Sequence, residues 1–152
     1  MDIKFHRLKD ITKETVAKLI PLSMRKGGTR IVFLCLSGEF RDIYLETFGC
    51  LRISIAYDKR GEPIAWALLD REGVISDDEN LASVFVKKTY RKRGLGKLLL
   101  DHLSICAKVP KEKMSFAPWN PENALFFMKS GLLESNRKTT ESYPTPPPPA
   151  ET

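Results

Sequence analysis

The chain has 152 residues, 42% of them apolar, enough for one domain with a sizeable core. No apolar run approaches the ~18 residues that would suggest a membrane span, and Met1–His6 lacks the charged and apolar regions of a secretory leader, so a cytoplasmic protein is expected. Cys35, Cys50 and Cys106 are odd in number and widely spaced, without metal-ligand pairing, so reduced thiols and no metal are expected.

Ile3, Phe5 and Leu8 alternate with polar residues and predict a first strand. Thr12 is a candidate N-cap, with Glu14 and Thr15 in the first turn of a helix whose apolar face is Val16, Leu19 and Ile20; Pro21 ends it or lies just past it. Met24 to Thr29 reads as a loop. Ile31 to Leu36 fits a buried helix or a buried strand, and periodicity does not decide between them. Ser37 is read as a cap for a helix in which Phe40, Ile43, Tyr44 and Thr47 share one face. Leu51 to Tyr57 alternates as a strand, Asp58 to Glu62 is a Gly-containing hairpin turn, and Pro63 to Leu69 is the return strand.

Asp70 to Asn80 is a polar connection. Val84, Phe85 and Val86, branched or aromatic, then predict a buried strand, and a helix runs from about Gly94 to Lys108 with Leu98, Leu99, Leu103 and Cys106 at helical spacing. Val109-Pro110 breaks it. Lys113 to Ala117 is a short strand, and Pro121 suits the first turn of a final helix. After Gly131 there is room for at most one or two short strands. Residues 144–149 hold five prolines, so a domain over 1–143 and an extended, solvated tail over 144–152 are expected.

The chemistry concentrates between Leu81 and Leu100. Two glycines, Gly94 and Gly96, let backbone approach a ligand closely, and the helix that starts there offers unpaired N–H groups and the positive end of a dipole. Lys87, Lys88, Arg91, Lys92, Arg93 and Lys97 surround them. Removing these six from the 25 Lys and Arg leaves 19, equal to the 19 Asp and Glu, so the net charge of +6 is formally this one cluster. The pattern is that of a phosphate cradle. It is not a P-loop, since no Gly precedes Gly94 at the required spacing and no Gly-Lys-Ser/Thr follows, and it lacks the three glycines of a dinucleotide fingerprint. A diphosphate with a ribose phosphate balances the cluster; a nucleic-acid groove is the alternative.

Arg91-Lys92-Arg93-Gly94-Leu95-Gly96 after a Val-rich strand resembles the acyl-coenzyme-A motif, R-x-x-G-x-G, of the GNAT N-acetyltransferase superfamily. Asn120 to Leu132 is similar to the family's N-x-x-A-x-x-L-Y-x-K-x-G-F helix, and the two together cover about Leu81 to Leu132. The resemblance implies a mixed α/β fold, with a central, mostly antiparallel twisted sheet of about six strands flanked by helices in the order β-α-α-β-β-β-α-β-α-β. It implies acetyl-CoA as co-substrate and a primary amine, on a small molecule or a protein, as acceptor. Val84, Phe85, Val86, Arg91, Lys92, Arg93, Gly94, Leu95, Gly96, Lys97, Asn120 and Phe127 would then hold the cofactor, with the N–H near Val86 as the oxyanion donor. Asn120 also reads as a turn or cap residue before Pro121. Residues from about Leu22 to Phe48 would contact the acceptor.

A carboxylate is the usual helper for taking a proton from an ammonium. Glu79 and Asp78 precede the cofactor strand, and Glu79 is the candidate base; Asp70 and Glu72 follow the preceding strand, and each of the four also reads as a solvated loop acid. His102 falls on the apolar side of its helix as a buried, satisfied histidine, and His6 has no visible partner. Trp119 and Phe116 either line the acceptor site or belong to the core. Many family members carry a Tyr where this chain has Phe127, which has no proton to give to a departing thiolate. Water, Tyr90 or Ser83 can take that role, the thiolate can leave unaided, or the protein binds acyl-CoA without turning it over.

Overall fold

The computed structural model describes residues 1–25, 27–75 and 78–116. Alternation of apolar residues builds an antiparallel meander from β1 (Asp2–Arg7), β2 (Arg52–Tyr57), β3 (Pro63–Asp70) and β4 (Leu81–Val86), in that spatial order. A short β5 (Ser115–Phe116) pairs parallel to β4 through Leu81–Ser115 and Ala82–Phe116. About six strands were expected; five lie among the described residues. The β2–β3 hairpin is closed by Asp58, whose Oδ1 accepts from the N–H of Arg60 at 2.8 Å and of Glu62 at 3.0 Å, while Gly61 supplies a φ of +78°.

β3 is buried along its whole length, so both sheet faces are covered. Ala65, Ala67 and Leu69 face the helix α4 (Leu95–Ala107) and its Leu95, Leu99, Leu100, Leu103 and Ala107. Trp66 and Leu68, with Ile53 and Ile55 of β2, face α1 (Lys13–Leu19) and α2 (Gly28–Ser37) through Val16, Leu19, Val32, Phe33 and Leu36. Each such branched or aromatic side chain contributes about 1.5–3 kcal/mol on burial.

Thr12 caps α1 as expected, its side chain accepting from the Thr15 N–H at 3.2 Å. Several other expectations are corrected. Leu8 lies in a 3-10 turn after β1, fully buried, with its N–H on the Leu51 carbonyl at 2.9 Å. The ambiguous segment is helical, because Val32, Phe33 and Leu36 at helical spacing meet the sheet, and the helix already includes Gly28 and Thr29. Ser37 ends α2 with its hydroxyl on the Leu34 carbonyl at 3.3 Å, and among the described residues no side chain caps α3 (Arg41–Phe48). The face expected to bury α3 is turned outward, with Phe40 58% and Ile43 64% exposed, and the helix packs through Leu45 and Phe48 instead. In α4, Leu99 and Leu103 are fully buried as expected, but Leu98 is 47% exposed and Cys106 is exposed, and Leu95, Leu100 and Ala107 complete the buried stripe instead.

The α1–α2 connection is fastened to the sheet centre. The Trp66 indole donates to the Leu22 carbonyl, and the Ser23 hydroxyl and Arg30 guanidinium donate to the Ile20 carbonyl. At the start of α2 a Cβ on Gly28 would stand 2.8 Å from Ile75 Cγ2, so α2 and the β3–β4 turn touch with no room for a side chain. That turn is held by Asp70, a buried carboxylate that accepts from the N–H of Val74 at 2.9 Å and of Ile75 at 2.7 Å.

Candidate active site

The cofactor strand presents its backbone in a definite direction. Lys87 N–H donates to the Ile64 carbonyl at 2.8 Å, so odd-numbered residues of β4 hydrogen-bond toward β3. Ser115 N–H donates to the Asn80 carbonyl at 2.8 Å on the other side, so even-numbered residues turn toward β5. The amide and carbonyl groups of Val84 and Val86 therefore line the β5 side, where β5 pairs only with Leu81 and Ala82 among the described residues. The Val84 and Val86 side chains are half-buried, packed against the α4 cluster at the margin of the core.

After β4 a 3-10 turn over Lys88–Tyr90 leads into the basic loop. Lys92 has φ +63° and Gly94 has φ +75°, left-handed positions on either side of Arg93, a succession that curls consecutive amides around a common concavity. Among the described residues, no N–H of residues 92–97 has a backbone acceptor, and the first helical bond runs from Leu98 N–H to the Gly94 carbonyl at 3.1 Å. Among the described residues, nothing beyond its chain neighbours lies within 4 Å of where a Cβ would stand on Gly94. Donors without acceptors, open space and the positive end of a 13-residue helix meet here, and they suit an anion of diphosphate type. All six cations of the cluster are exposed, and none forms a salt bridge with a described residue.

The two arginines flanking Lys92 differ in their contacts. Arg93 lies over the Tyr90 ring at 5.6 Å, on the α4 side of the sheet, where Tyr90 packs. Arg91 turns back along the strand, with Nε donating to the Val86 carbonyl at 2.8 Å and the guanidinium 5.4 Å from the centre of the Phe85 ring. Phe85 itself stacks on Trp66 at 6.4 Å, and Trp66 meets Phe33 edge-on at 5.4 Å. Sequence reasoning missed this turn of Arg91. No spacing rule reports it, because it depends on how the loop folds back over the end of β4.

The candidate acids do not converge. Asp70 is a buried carboxylate whose two oxygens accept backbone N–H bonds of the turn that follows β3. Glu79 and Glu72 are exposed, and Asp78 is half-buried. His102 is half-buried, with Nδ1 2.9 Å from Ser54 Oγ, and its partner lies on the α4 side of β2, away from the loop. His6 stands on β1, at the opposite edge of the sheet from β5; burial first, and the Lys4 ammonium second, hold its imidazole below its ordinary range, with Asp10 opposing. Phe116 is fully buried core. Asn120, Phe127 and Trp119, like the Pro-rich tail, lie outside the described residues.

Among the described residues no helix is long and apolar enough to cross a membrane. A sequence comparison with curated proteins finds no match. Among solved structures, an aminoglycoside N-acetyltransferase, AAC(6')-Iy, in complex with CoA is 18% identical, over 86% of this chain and 86% of its own, with a TM-score of 0.55. Glucosamine-6-phosphate N-acetyltransferase from Arabidopsis thaliana is 17% identical over 86% of this chain and 91% of its own, TM-score 0.53. Ribosomal-protein-alanine N-acetyltransferase from Brucella melitensis is 15% identical over 86% of this chain and 83% of its own, TM-score 0.51. At these identities the likeness is one of fold. The family model described as an acetyltransferase (GNAT) domain matches residues 28–131, which include the strand, the curled loop and the helix that follows it. With that match over more than half its length, the chain belongs to the GNAT acetyltransferase family.

Proposed function

We propose that the protein is an acetyl-CoA-dependent N-acetyltransferase that passes the acetyl group directly to a primary amine in a ternary complex. The observation that carries this reading is the row of amides over residues 92–97, free of backbone acceptors among the described residues and beside the open space at Gly94. Those amides, with Arg93, Lys92 and Lys97 around them, would hold the diphosphate; the strand edge at Val84 would pair with the amides of the pantetheine arm. The acceptor nitrogen attacks the thioester carbonyl carbon, the C–S bond breaks, and the proton lost by the amine ends on the sulfur. Negative charge grows on the carbonyl oxygen during attack, and the Val86 N–H is the proposed donor to it.

A second reading has an observation in its favour. Neither of two candidate acids stands at the Val86 end of β4: Asp70 pairs with Leu81 at the other end and accepts two backbone N–H bonds, and Glu79 is exposed in the loop before the strand. That suits a module that binds acyl-CoA without transferring the acyl group. With a thiol with pKa near ~8.5 as leaving group, proton return to sulfur is not demanding, and a neutral amine reaching the site needs no dedicated base. Thiol release with a panel of amines separates the two readings: release with any amine supports the enzyme, and tight binding without release across the panel supports the silent module. Thermal melts with CoA and acetyl-CoA test what both share. Ligand at about 100 times its Kd stabilises by about 2.7 kcal/mol, and an unchanged melting temperature with both ligands would remove the cofactor assignment.

A further inference from the structure

We propose that Arg91 is a positioning residue for the end of the cofactor strand, acting through Val86 and Phe85, and not a ligand of the diphosphate. The inference rests on the acyltransferase reading for what the strand does. Its own basis is the placement of one side chain. Nε, the only nitrogen next to the side-chain stem, donates to the Val86 carbonyl at 2.8 Å. The guanidinium plane lies 5.4 Å from the centre of Phe85, whose ring belongs to the cluster under α1 and α2. A hydrogen bond at one edge and a ring beneath leave an arginine little freedom, and its plane is already suited to both contacts.

The contrast with Arg93 sharpens the assignment. Arg93 stands over Tyr90 on the α4 side, next to the uncapped amides at the start of that helix. Arg91 has the Phe85 ring under it, and Phe85 points to the other face of β4. The carbonyl that Arg91 holds belongs to the same residue whose N–H is the proposed oxyanion donor. The Val86 carbonyl shares one peptide plane with the Lys87 N–H, which donates to the Ile64 carbonyl, so Arg91 fixes that plane from its other side and restrains the adjoining plane that carries the Val86 N–H. Phe85 extends this anchor to Trp66, whose indole holds the Leu22 carbonyl of the α1–α2 connection. Arg91 thus ties the loop to a stack that reaches the sheet centre.

A phosphate ligand and a strand anchor answer differently to substitution. Lysine keeps the charge but lacks the Nε donor and the planar group, so Arg91→Lys preserves a phosphate role and removes an anchoring one. The experiment compares Arg91→Lys, Arg91→Gln and Arg93→Gln by calorimetric titration with ADP, which carries a diphosphate and no pantetheine arm, and with acetyl-CoA. Amide hydrogen exchange at Val86 and Lys87 is followed in the same proteins. Expected results are ADP affinity within twofold of the parent for both Arg91 variants and at least fivefold weaker for Arg93→Gln. Acetyl-CoA should bind about five- to tenfold more weakly to both Arg91 variants, and their Lys87 amide should exchange about tenfold faster. ADP binding weakened in Arg91→Gln and restored in Arg91→Lys would overturn the proposal, as would unchanged exchange at Val86 and Lys87. If the parent protein binds neither nucleotide, the acyltransferase reading fails; the exchange comparison needs no ligand and still decides whether Arg91 anchors the strand.

Discussion

Gly94 adopts φ +75° with open space where a side chain would stand, so strain and obstruction can be separated at that position. Gly94→Ala costs about 1 kcal/mol of left-handed strain and lowers the melting temperature by a few degrees. Gly94→Trp adds bulk inside the concavity, and CoA binding by titration should disappear while circular dichroism reports an intact fold. His6 gives a pH dependence of known sign. Its imidazole is held below the ordinary value in the folded chain, first by burial and then by Lys4, so the unfolded chain binds more protons near pH 6. Stability is therefore complete above the unfolded pKa of about 6.5 and is lost as pH falls through the lower folded value. Thermal melts from pH 7.5 to 5 should show that loss, reduced in His6→Gln; an identical pH profile in the variant would exclude His6 as its source.

At the scale of elements, periodicity predicts type better than facing. The α3 sequence spreads apolar residues around the helix, with Ile43 on one side, Leu45 and Phe48 on another and Tyr44 stacked on Phe48 between them, and only the tertiary contact with α2 and the turn after β1 selects Leu45 and Phe48. Ile43→Lys should consequently change stability by less than about 0.5 kcal/mol in urea titrations, whereas Leu45→Ala should cost more than that. The same ambiguity touches α4, where consecutive leucines at 98, 99 and 100 admit more than one orientation and Leu100 is buried in place of Leu98. Ser37 misled for a local reason. A hydroxyl before a helix and a hydroxyl in the last turn of the previous helix look alike in sequence, and here it bonds back to Leu34. By contrast, Thr12, the Asp58 hairpin and the strand-to-helix order around Gly94 were legible, because each depends on neighbours within a few residues. The roles of Asp70 and Arg91 were not, since they depend on where the chain returns. Asp70→Ala, which strips the acceptors from two amides in the turn, should cost about 1–3 kcal/mol by denaturant unfolding.

Across the whole molecule, charge is divided unequally. The six cations around the loop equal the entire formal excess of +6, and all of them face solvent. Exposed charges act over about 8–10 Å at physiological salt, so CoA binding should weaken roughly tenfold between 50 and 500 mM NaCl, and Lys92→Glu should weaken it at low salt more than at high salt. Duplex DNA added as a competitor should leave CoA binding unchanged; displacement would favour the nucleic-acid alternative for the same cluster. A different connection spans the other side of the sheet. Ile75, fixed by the Asp70 carboxylate, presses on Gly28 at the start of α2 with no space for even a methyl group between them. Those two positions form a lock in which neither half can be recut alone. Enlarging residue 28 to alanine pushes the turn off its carboxylate, and trimming residue 75 to alanine at the same time should give back much of the lost stability. Anyone reshaping this corner to admit a bulkier amine would have to alter both partners together.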